Sequence, residues 1–123
     1  MRNYKELMVW QKAVGLVREI YKKTAQFPES ERFGLTAQIR RAAVSIPANI
    51  AEGWGRGTTK EYIQFLLIAR GSLMEVETQV IIARELMYLA ERDLNSLQAQ
   101  LEEVGRMLNG LIQSLRNPSR AAA

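Results

Sequence analysis

Residues 91–116 read ERDLNSLQAQLEEVGRMLNGLIQSLR, and apolar side chains recur along them at alternating intervals of three and four residues. This spacing places them on one side of an α-helix, and it is the heptad pattern by which helices pack at about 20° to one another. The stretch therefore predicts a long helix with one buried face. Its expected core residues are Leu94, Leu97, Leu101, Val104, Leu108, Leu111 and Leu115.

A second heptad pattern lies just before this one. Thr58 and Glu61 have the spacing of a capping box, which predicts that a helix begins there. The apolar residues that follow again recur every three or four positions. The expected core residues of this helix are Tyr62, Leu66, Ala69, Leu73, Val76, Val80, Ala83 and Met87.

The first helical pattern runs roughly from Leu7 to Thr24. Phe27-Pro28 ends it, because the residue before a proline avoids the helical conformation. Its expected core face is Val9, Ala13, Leu16, Ile20 and Thr24, with Trp10, Val17 and Tyr21 beside it.

The remaining pattern is interrupted by Pro47, which removes a hydrogen bond to the Ala43 carbonyl at a cost of roughly 3 kcal/mol. The apolar phase nevertheless continues across the proline, so we expect one helix, kinked at Pro47. Pro47 itself is predicted to lie away from the core, on a face of small residues where a neighbouring subunit could pack. The apolar face comprises Leu35, Ile39, Ala43, Ile46 and Ile50, and the small-residue face holds Ala37, Arg40, Val44, Ala48 and Ala51.

No stretch shows the sustained alternation of a β-strand, and the predicted helices are joined by short connections. Short connections make consecutive helices antiparallel. We therefore predict an all-α protein, an antiparallel up-down-up-down four-helix bundle formed by residues 1–116 as a single domain, with a flexible tail over residues 117–123. Gly53 is expected to be the C-terminal cap of the second helix.

The composition excludes several kinds of site. The 123 residues include no cysteine and no histidine, so disulfides, thiol nucleophiles, Ser-His-Asp triads and thiolate or imidazole metal sites are ruled out. We expect no catalytic residues, no metal and no cofactor. The absence of a long apolar segment predicts no membrane association, and we expect a cytoplasmic protein.

The charge is distributed unevenly. Residues 1–60 hold 11 Lys and Arg against 5 Asp and Glu, whereas residues 61–123 hold 6 against 8. An excess of positive charge in one half can attract a phosphate backbone or an acidic partner, although solvated helix faces explain the same residues. The candidate nucleic-acid-binding residues are Lys12, Arg18, Lys22, Lys23, Arg32, Arg40, Arg56 and Lys60.

Two further sets point to contacts between helices or subunits. A polar stripe of Arg41, Ser45, Asn49 and Glu52 could line a small pocket, carry acid–base chemistry, or satisfy polar neighbours on another helix or subunit. The third predicted helix has more apolar side chains than one bundle needs to bury, and such a surplus is typical of an interface. These side chains, Ile63, Leu67, Met74 and Ile81, predict a homo-oligomer.

Several stretches of the chain together have the motifs of a known family. The most specific is Ser45-Ile46-Pro47 followed by Asn49-Ile50-Ala51-Glu52-Gly53. Other matching stretches are Trp10-Gln11-Lys12-Ala13, Gly34-Leu35-Thr36, Gln38-Ile39-Arg40-Arg41-Ala42, Ala69-Arg70-Gly71-Ser72-Leu73 and Val104-Gly105-Arg106-Met107-Leu108. On these residues the chain resembles, over residues 4–116, the bacterial four-helix bundle proteins called 23S rRNA intervening-sequence proteins.

The resemblance implies rings of five subunits and a relationship to the accessory protein of diversity-generating retroelements, which engages nucleic acid and a reverse transcriptase. It implies no catalytic residue. We therefore expect a non-enzymatic homopentamer that binds RNA or DNA through a basic surface. The alternative is a structural adaptor that recruits a protein partner, such as a reverse transcriptase, without contacting nucleic acid.

Overall fold

The computed structural model describes residues 2–118, which form four long α-helices and no strand. The helices are α1 (Met8–Thr24), α2 (Leu35–Gly55), α3 (Thr59–Glu85) and α4 (Glu91–Arg116), and 3₁₀ helices over Tyr4–Glu6 and Glu29–Glu31 precede α1 and α2. The predicted all-α four-helix bundle is confirmed. Residues 119–123 of the predicted tail lie outside the described residues.

Each helix contacts two neighbours, α1 with α2, α2 with α3, α3 with α4, and α4 with α1. Contacts between α1 and α4 run in opposite order along the two helices, because Lys12 pairs with Glu103 whereas Lys23 pairs with Asp93. Between α2 and α3, Ser45 bonds to Ser72 whereas Gly53 lies against Tyr62. The four helices therefore enclose one common core.

The predicted core face of α1 is fully buried from Val9 to Thr24. The predicted core residues of α4 are buried from Leu97 to Leu108. Beyond Leu108 the buried residue is Ile112, whereas Leu111 and Leu115 are only partly buried. An α-helix has 3.6 residues per turn rather than 3.5, so a heptad face drifts by about 20° per repeat. The drift brings Ile112 to the inside at the C-terminal end.

The assignment of Met87 to the core of α3 is wrong. The helix ends at Glu85, and Met87 is 78% exposed with a φ of 66°. Backbone bonds from Met87 to the Arg84 carbonyl and from Tyr88 to the Ala83 carbonyl, both 2.9 Å, form a Schellman motif. Its left-handed position, which usually holds glycine, is here occupied by a methionine.

The α2 helix passes through Pro47 without ending, as the apolar phase predicts, and the bend at this residue stays a prediction. Pro47 is buried within the chain itself, which corrects the expectation that it lies away from the core. Arg40, seven residues earlier and so on nearly the same side of α2, hydrogen-bonds to Thr24 of α1. Pro47 thus lies on the α1 side of α2.

Gly53 does not cap α2, which continues to Gly55. It is buried where α2 meets α3, and a Cβ atom built on it would lie 2.7 Å from the Cβ of Phe65. The residue allows the two helices to approach closely. The left-handed backbone of the connection belongs instead to Gly57, whose φ is 91°.

The predicted N-cap at the start of α3 is present, since the Thr58 hydroxyl accepts a bond of 3.2 Å from the Glu61 amide. The Glu61 carboxylate accepts a bond of 3.1 Å from the Thr58 hydroxyl, and not from the Thr58 amide as a complete capping box predicts. At the opposite end of the bundle the Tyr88 hydroxyl donates to Glu31 over 3.0 Å, and the Tyr88 and Phe27 rings are in contact. The bond to Glu31, together with burial and the carboxylate's charge, raises the pKa of Tyr88. This bond joins the connection between α1 and α2 to that between α3 and α4.

Candidate nucleic-acid interface

A surface groove of about 550 Å³ lies where the end of α1 meets the start of α2. Three arginines and two aromatic rings line it, together with small or apolar side chains. No acidic side chain lines it. The lining residues are Tyr21, Arg32, Phe33, Thr36, Ala37, Arg40, Arg41 and Val44.

Helical spacing explains why these residues meet. Thr36, Arg40 and Val44 follow one another at intervals of four, and Ala37 and Arg41 do the same on the adjacent side of α2. Arg32 and Phe33 come from the turn that precedes the helix, and Tyr21 comes from the last turn of α1. The groove is therefore formed by two helices and their connection.

Arg40 lies against α1. Its Nε donates to the Thr24 hydroxyl over 2.9 Å and its Nη2 to the Tyr21 carbonyl over 3.4 Å. The guanidinium also lies 4.5 Å from the centre of the Tyr21 ring, within the range of a cation–π contact. Three contacts with α1 therefore orient the charge of Arg40 in the groove.

Arg32 and Arg41 are more exposed. Arg32 lies 5.3 Å from the centre of the Phe33 ring and 3.5 Å from a carboxylate oxygen of Glu29, an ion pair of two well-solvated side chains. Such surface pairs contribute little, with a median of about 0–1 kcal/mol, and can be exchanged for a phosphate. Arg41 has no ion pair within residues 2–118. Both side chains are available to an anionic ligand.

The other basic candidates on α1 are mostly paired with acidic residues. Lys12 lies 3.3 Å from Glu103, Lys23 lies 3.0 Å from Asp93, and Lys22 lies 3.8 Å from Glu19. A second groove of about 440 Å³, between α1 and α4, contains Lys12 and Arg18 together with Glu19 and Glu103. The charges of this second groove balance, so it is a poorer site for a polyanion.

We refer to the first groove, which contains Arg32, Arg40 and Arg41, as the arginine groove. Arg56 and Lys60 lie at the opposite end of α2 from it. Sixteen residues separate Arg40 from Arg56, about 24 Å along a helix. Arg56 contacts Glu52 and Glu61 at 4.0 and 3.6 Å and lies 5.3 Å from the centre of the Phe65 ring, whereas Lys60 is exposed. Of the eight candidates, the arginine groove thus contains Arg32 and Arg40, together with Arg41.

Of the polar stripe of α2, Ser45 contacts α3 and Asn49 bonds to Ser45. The Ser45 and Ser72 hydroxyls are 2.8 Å apart, and the Asn49 amide donates to the Ser45 carbonyl and hydroxyl over 2.8 and 2.9 Å. An amide cannot accept the proton of a serine nucleophile, so this arrangement ties two helices together rather than activating Ser45. Glu52, at the end of the stripe, is exposed and contacts Arg56.

The surplus apolar side chains of α3 divide into two groups. Ile63 and Leu67 are half-buried and pack against the core, whereas Met74 and Ile81 are exposed. The outer surface of α3 is more apolar than the sequence indicates, because Ile68 and Ile82 are exposed as well. We refer to Ile68, Met74, Ile81 and Ile82 as the outer α3 face.

Sequence reasoning missed the two aromatic walls of the arginine groove. The apolar pattern of α1 places Tyr21 beside its core, and no sequence pattern assigns a role to Phe33. The available signal was Phe33 next to Arg32 and just before the start of α2, in a connection rich in charged residues.

Within the described residues there is no group of three His, Cys, Asp or Glu side chains placed to hold a metal ion. None of the helices in the same part of the chain combines the length and apolar character required to cross a membrane.

Two comparisons with known proteins agree with this architecture. The family described as 23S rRNA-intervening sequence protein matches residues 5–110. A Bacteroides thetaiotaomicron protein of unknown function, from the S23 ribosomal protein family, has a similar crystal structure, with a TM-score of 0.77 and 24% sequence identity over 85% of this chain and 95% of that one. No curated protein matches the chain.

Proposed function

Because the chain belongs to the family of 23S rRNA-intervening sequence proteins, and because its arginines converge on one groove, we propose that it is a non-enzymatic protein that binds RNA or DNA. The observation that carries this proposal is the groove of Arg32, Arg40 and Arg41. Cytoplasmic location fits the absence of cysteine.

The electrostatics of the groove support a polyanionic ligand. Arginine binds phosphate through a planar fork of donors, and one of the three arginines is already fixed by hydrogen bonds to α1. The surrounding half of the chain, residues 1–60, carries a net charge of +6. Contacts of this kind attract phosphates without reading sequence, so binding is expected to be strongly salt-dependent.

The test is the affinity for labelled RNA and DNA oligonucleotides, measured by fluorescence anisotropy at increasing salt. The double variant Arg32→Glu/Arg41→Glu should raise the Kd by roughly tenfold or more, because it reverses two phosphate-binding charges. Arg106→Glu/Arg116→Glu is the matched control, since it makes the same change in net charge on exposed positions of α4. Equal losses for the two variants, or no binding at low salt, would contradict the proposal.

We propose further that the protein acts as a homo-oligomer through the outer α3 face. Four large apolar side chains are exposed along this helix, and the negative second half of the chain complements the positive first half of another copy. The family resemblance favours five subunits. Multiple copies would also present several arginine grooves to one nucleic-acid strand.

Light scattering measures this directly, with an expected mass of five times the 14.0 kDa chain. Met74→Lys/Ile81→Lys should shift the mass toward the monomer, because burying two ammonium groups opposes association. Gln113→Lys/Ser114→Lys, at exposed positions of α4, adds the same charge outside the outer α3 face and should leave the mass unchanged. A monomer at micromolar concentration would contradict the oligomer.

One observation favours the adaptor role as a second candidate. Met87 presents a large apolar side chain to solvent from a backbone conformation that glycine would adopt with less strain. A protein partner such as a reverse transcriptase could contact it. An intact oligomer that binds no nucleic acid at low salt would favour this role over the first.

A further inference from the structure

The arginine groove contains an aromatic side chain that the bundle does not use. Phe33 is 86% exposed, whereas Phe27, which comes shortly before it in the same connection, is buried against the core. The fold itself therefore gains little from a phenylalanine at this position.

The groove brings together two aromatic rings and two guanidiniums that contact them. Arg32 lies by the ring of Phe33 and Arg40 by the ring of Tyr21, while Ala37 and Val44 provide apolar surface between them. Guanidinium planes and aromatic rings are the two kinds of surface on which unpaired bases stack. The backbone phosphates of the same strand could then reach Arg41 at the edge of the groove.

The dimensions of the groove point in the same direction. A volume of about 550 Å³ falls in the range of small-ligand pockets, roughly 300–1,000 Å³. It can hold a few splayed bases but not the width of a double helix. A duplex would reach the arginines only through its phosphates, and its stacked bases would leave the Phe33 ring without a partner.

We propose, on the basis of the nucleic-acid-binding function proposed above, that the groove binds an unpaired strand, with a base stacked on Phe33 and phosphates held by Arg32 and Arg41. The substrate class is single-stranded RNA or DNA, or the loop of a folded RNA. Recognition is sequence-tolerant, because every base has a face that can stack.

The experiment compares a labelled single strand with a blunt duplex of the same length, for the wild-type protein, Phe33→Ala and Phe33→Trp. Phe33→Ala should weaken single-strand binding about tenfold, because one stacking contact is lost, and should leave duplex binding unchanged. Phe33→Trp keeps an aromatic face and should bind the single strand at least as tightly as wild type. The salt dependence should be the same for all three proteins, since none of the changes alters a charge.

Phe33 is exposed, so its replacement should leave the melting temperature of the bundle unchanged, and this is the folding control. Duplex binding as tight as single-strand binding would overturn the proposal, as would Phe33→Ala binding with wild-type affinity. Those outcomes leave the arginine-dependent function intact when Arg32→Glu/Arg41→Glu still weakens binding. Failure of that double variant to weaken binding overturns both.

Discussion

The two ends of the bundle are built differently. At the end where α2 turns into α3, Gly53 is pressed against Phe65 and Tyr62, and the ring of Trp54 lies edge-on to that of Tyr62. At the other end the connections are joined by the hydrogen bond between Tyr88 and Glu31, while Phe33 and Met87 remain in solvent. The end between α2 and α3 is closed by close packing of side chains. At the other end a hydrogen bond joins the two connections, and Phe33 and Met87 remain exposed to a ligand.

Among the substitutions that test this difference between the two ends, Gly53→Ala is expected to change the free energy of unfolding most. The new Cβ would lie 2.7 Å from the Phe65 Cβ and 3.2 Å from the Tyr62 carbonyl, atoms that cannot move without moving α3. We expect the free energy of unfolding to fall by about 2 kcal/mol, measured by urea denaturation.

Gly55→Ala is the control for this change. A Cβ at Gly55 would meet no atom within 4 Å, so alanine should be neutral or raise the unfolding free energy by up to about 1 kcal/mol through its better helix propensity. Equal stability of the two variants would show that the approach of α2 to α3 is looser than the structure indicates.

Gly53 also marks the limit of what the sequence could predict. Periodicity correctly predicted the four helices and most of their buried positions, because each depends only on the spacing of apolar residues along one helix. The interpretation of Gly53 as a cap was wrong because a close contact with Phe65 depends on the distance between two helices. The apolar pattern of α2 places Pro47 outside the core for a similar reason, since its burial depends on the packing of the whole bundle and not on spacing along one helix.

The candidate site was less predictable than the fold. Arg32 and Arg40 were selected by charge alone, together with lysines that proved to be paired with Glu103 and Asp93 on α4. The sequence shows which residues are charged, but it does not show which residue of another helix each one pairs with. Phe33 and Tyr21 became part of a site only when the end of α1 was seen beside the start of α2.

A smaller effect is expected from the two left-handed residues that flank α3, one at each end of the bundle. Met87→Gly should raise the free energy of unfolding by about 1 kcal/mol, because glycine adopts a φ of 66° without the crowding of a Cβ atom. Gly57→Ala, at a φ of 91°, should lower it by about the same amount. Loss of stability in Met87→Gly would mean that the methionine side chain contributes packing that its exposure does not indicate.

A smaller difference still is expected between two tyrosines. Tyr88→Phe removes the bond to Glu31 and should lower the melting temperature by about 3 °C. The Tyr62 hydroxyl is buried without a hydrogen-bond partner in the part of the chain that the structure describes, so Tyr62→Phe should leave the melting temperature unchanged or raise it. A larger loss for Tyr62→Phe than for Tyr88→Phe would reverse the proposed contrast between the ends.

The pH dependence of stability should reflect the ionisation of the same two residues. The hydrogen bond to Glu31, with burial and the charge of that carboxylate, raises the pKa of Tyr88, and burial raises the pKa of Tyr62. A tyrosine whose pKa is higher in the folded than in the unfolded chain contributes its full stabilisation below the unfolded value of about 10 and loses it as the pH rises through the folded value. The wild-type protein should therefore lose stability as the pH is raised through this range, and both tyrosines should contribute to the loss.

Phenylalanine cannot ionise, so Tyr88→Phe and Tyr62→Phe should each make the loss shallower. The double variant should make it shallower than either single change, because the two groups are at opposite ends of the bundle and titrate independently. A double variant with the wild-type pH profile would mean that the loss arises from other groups.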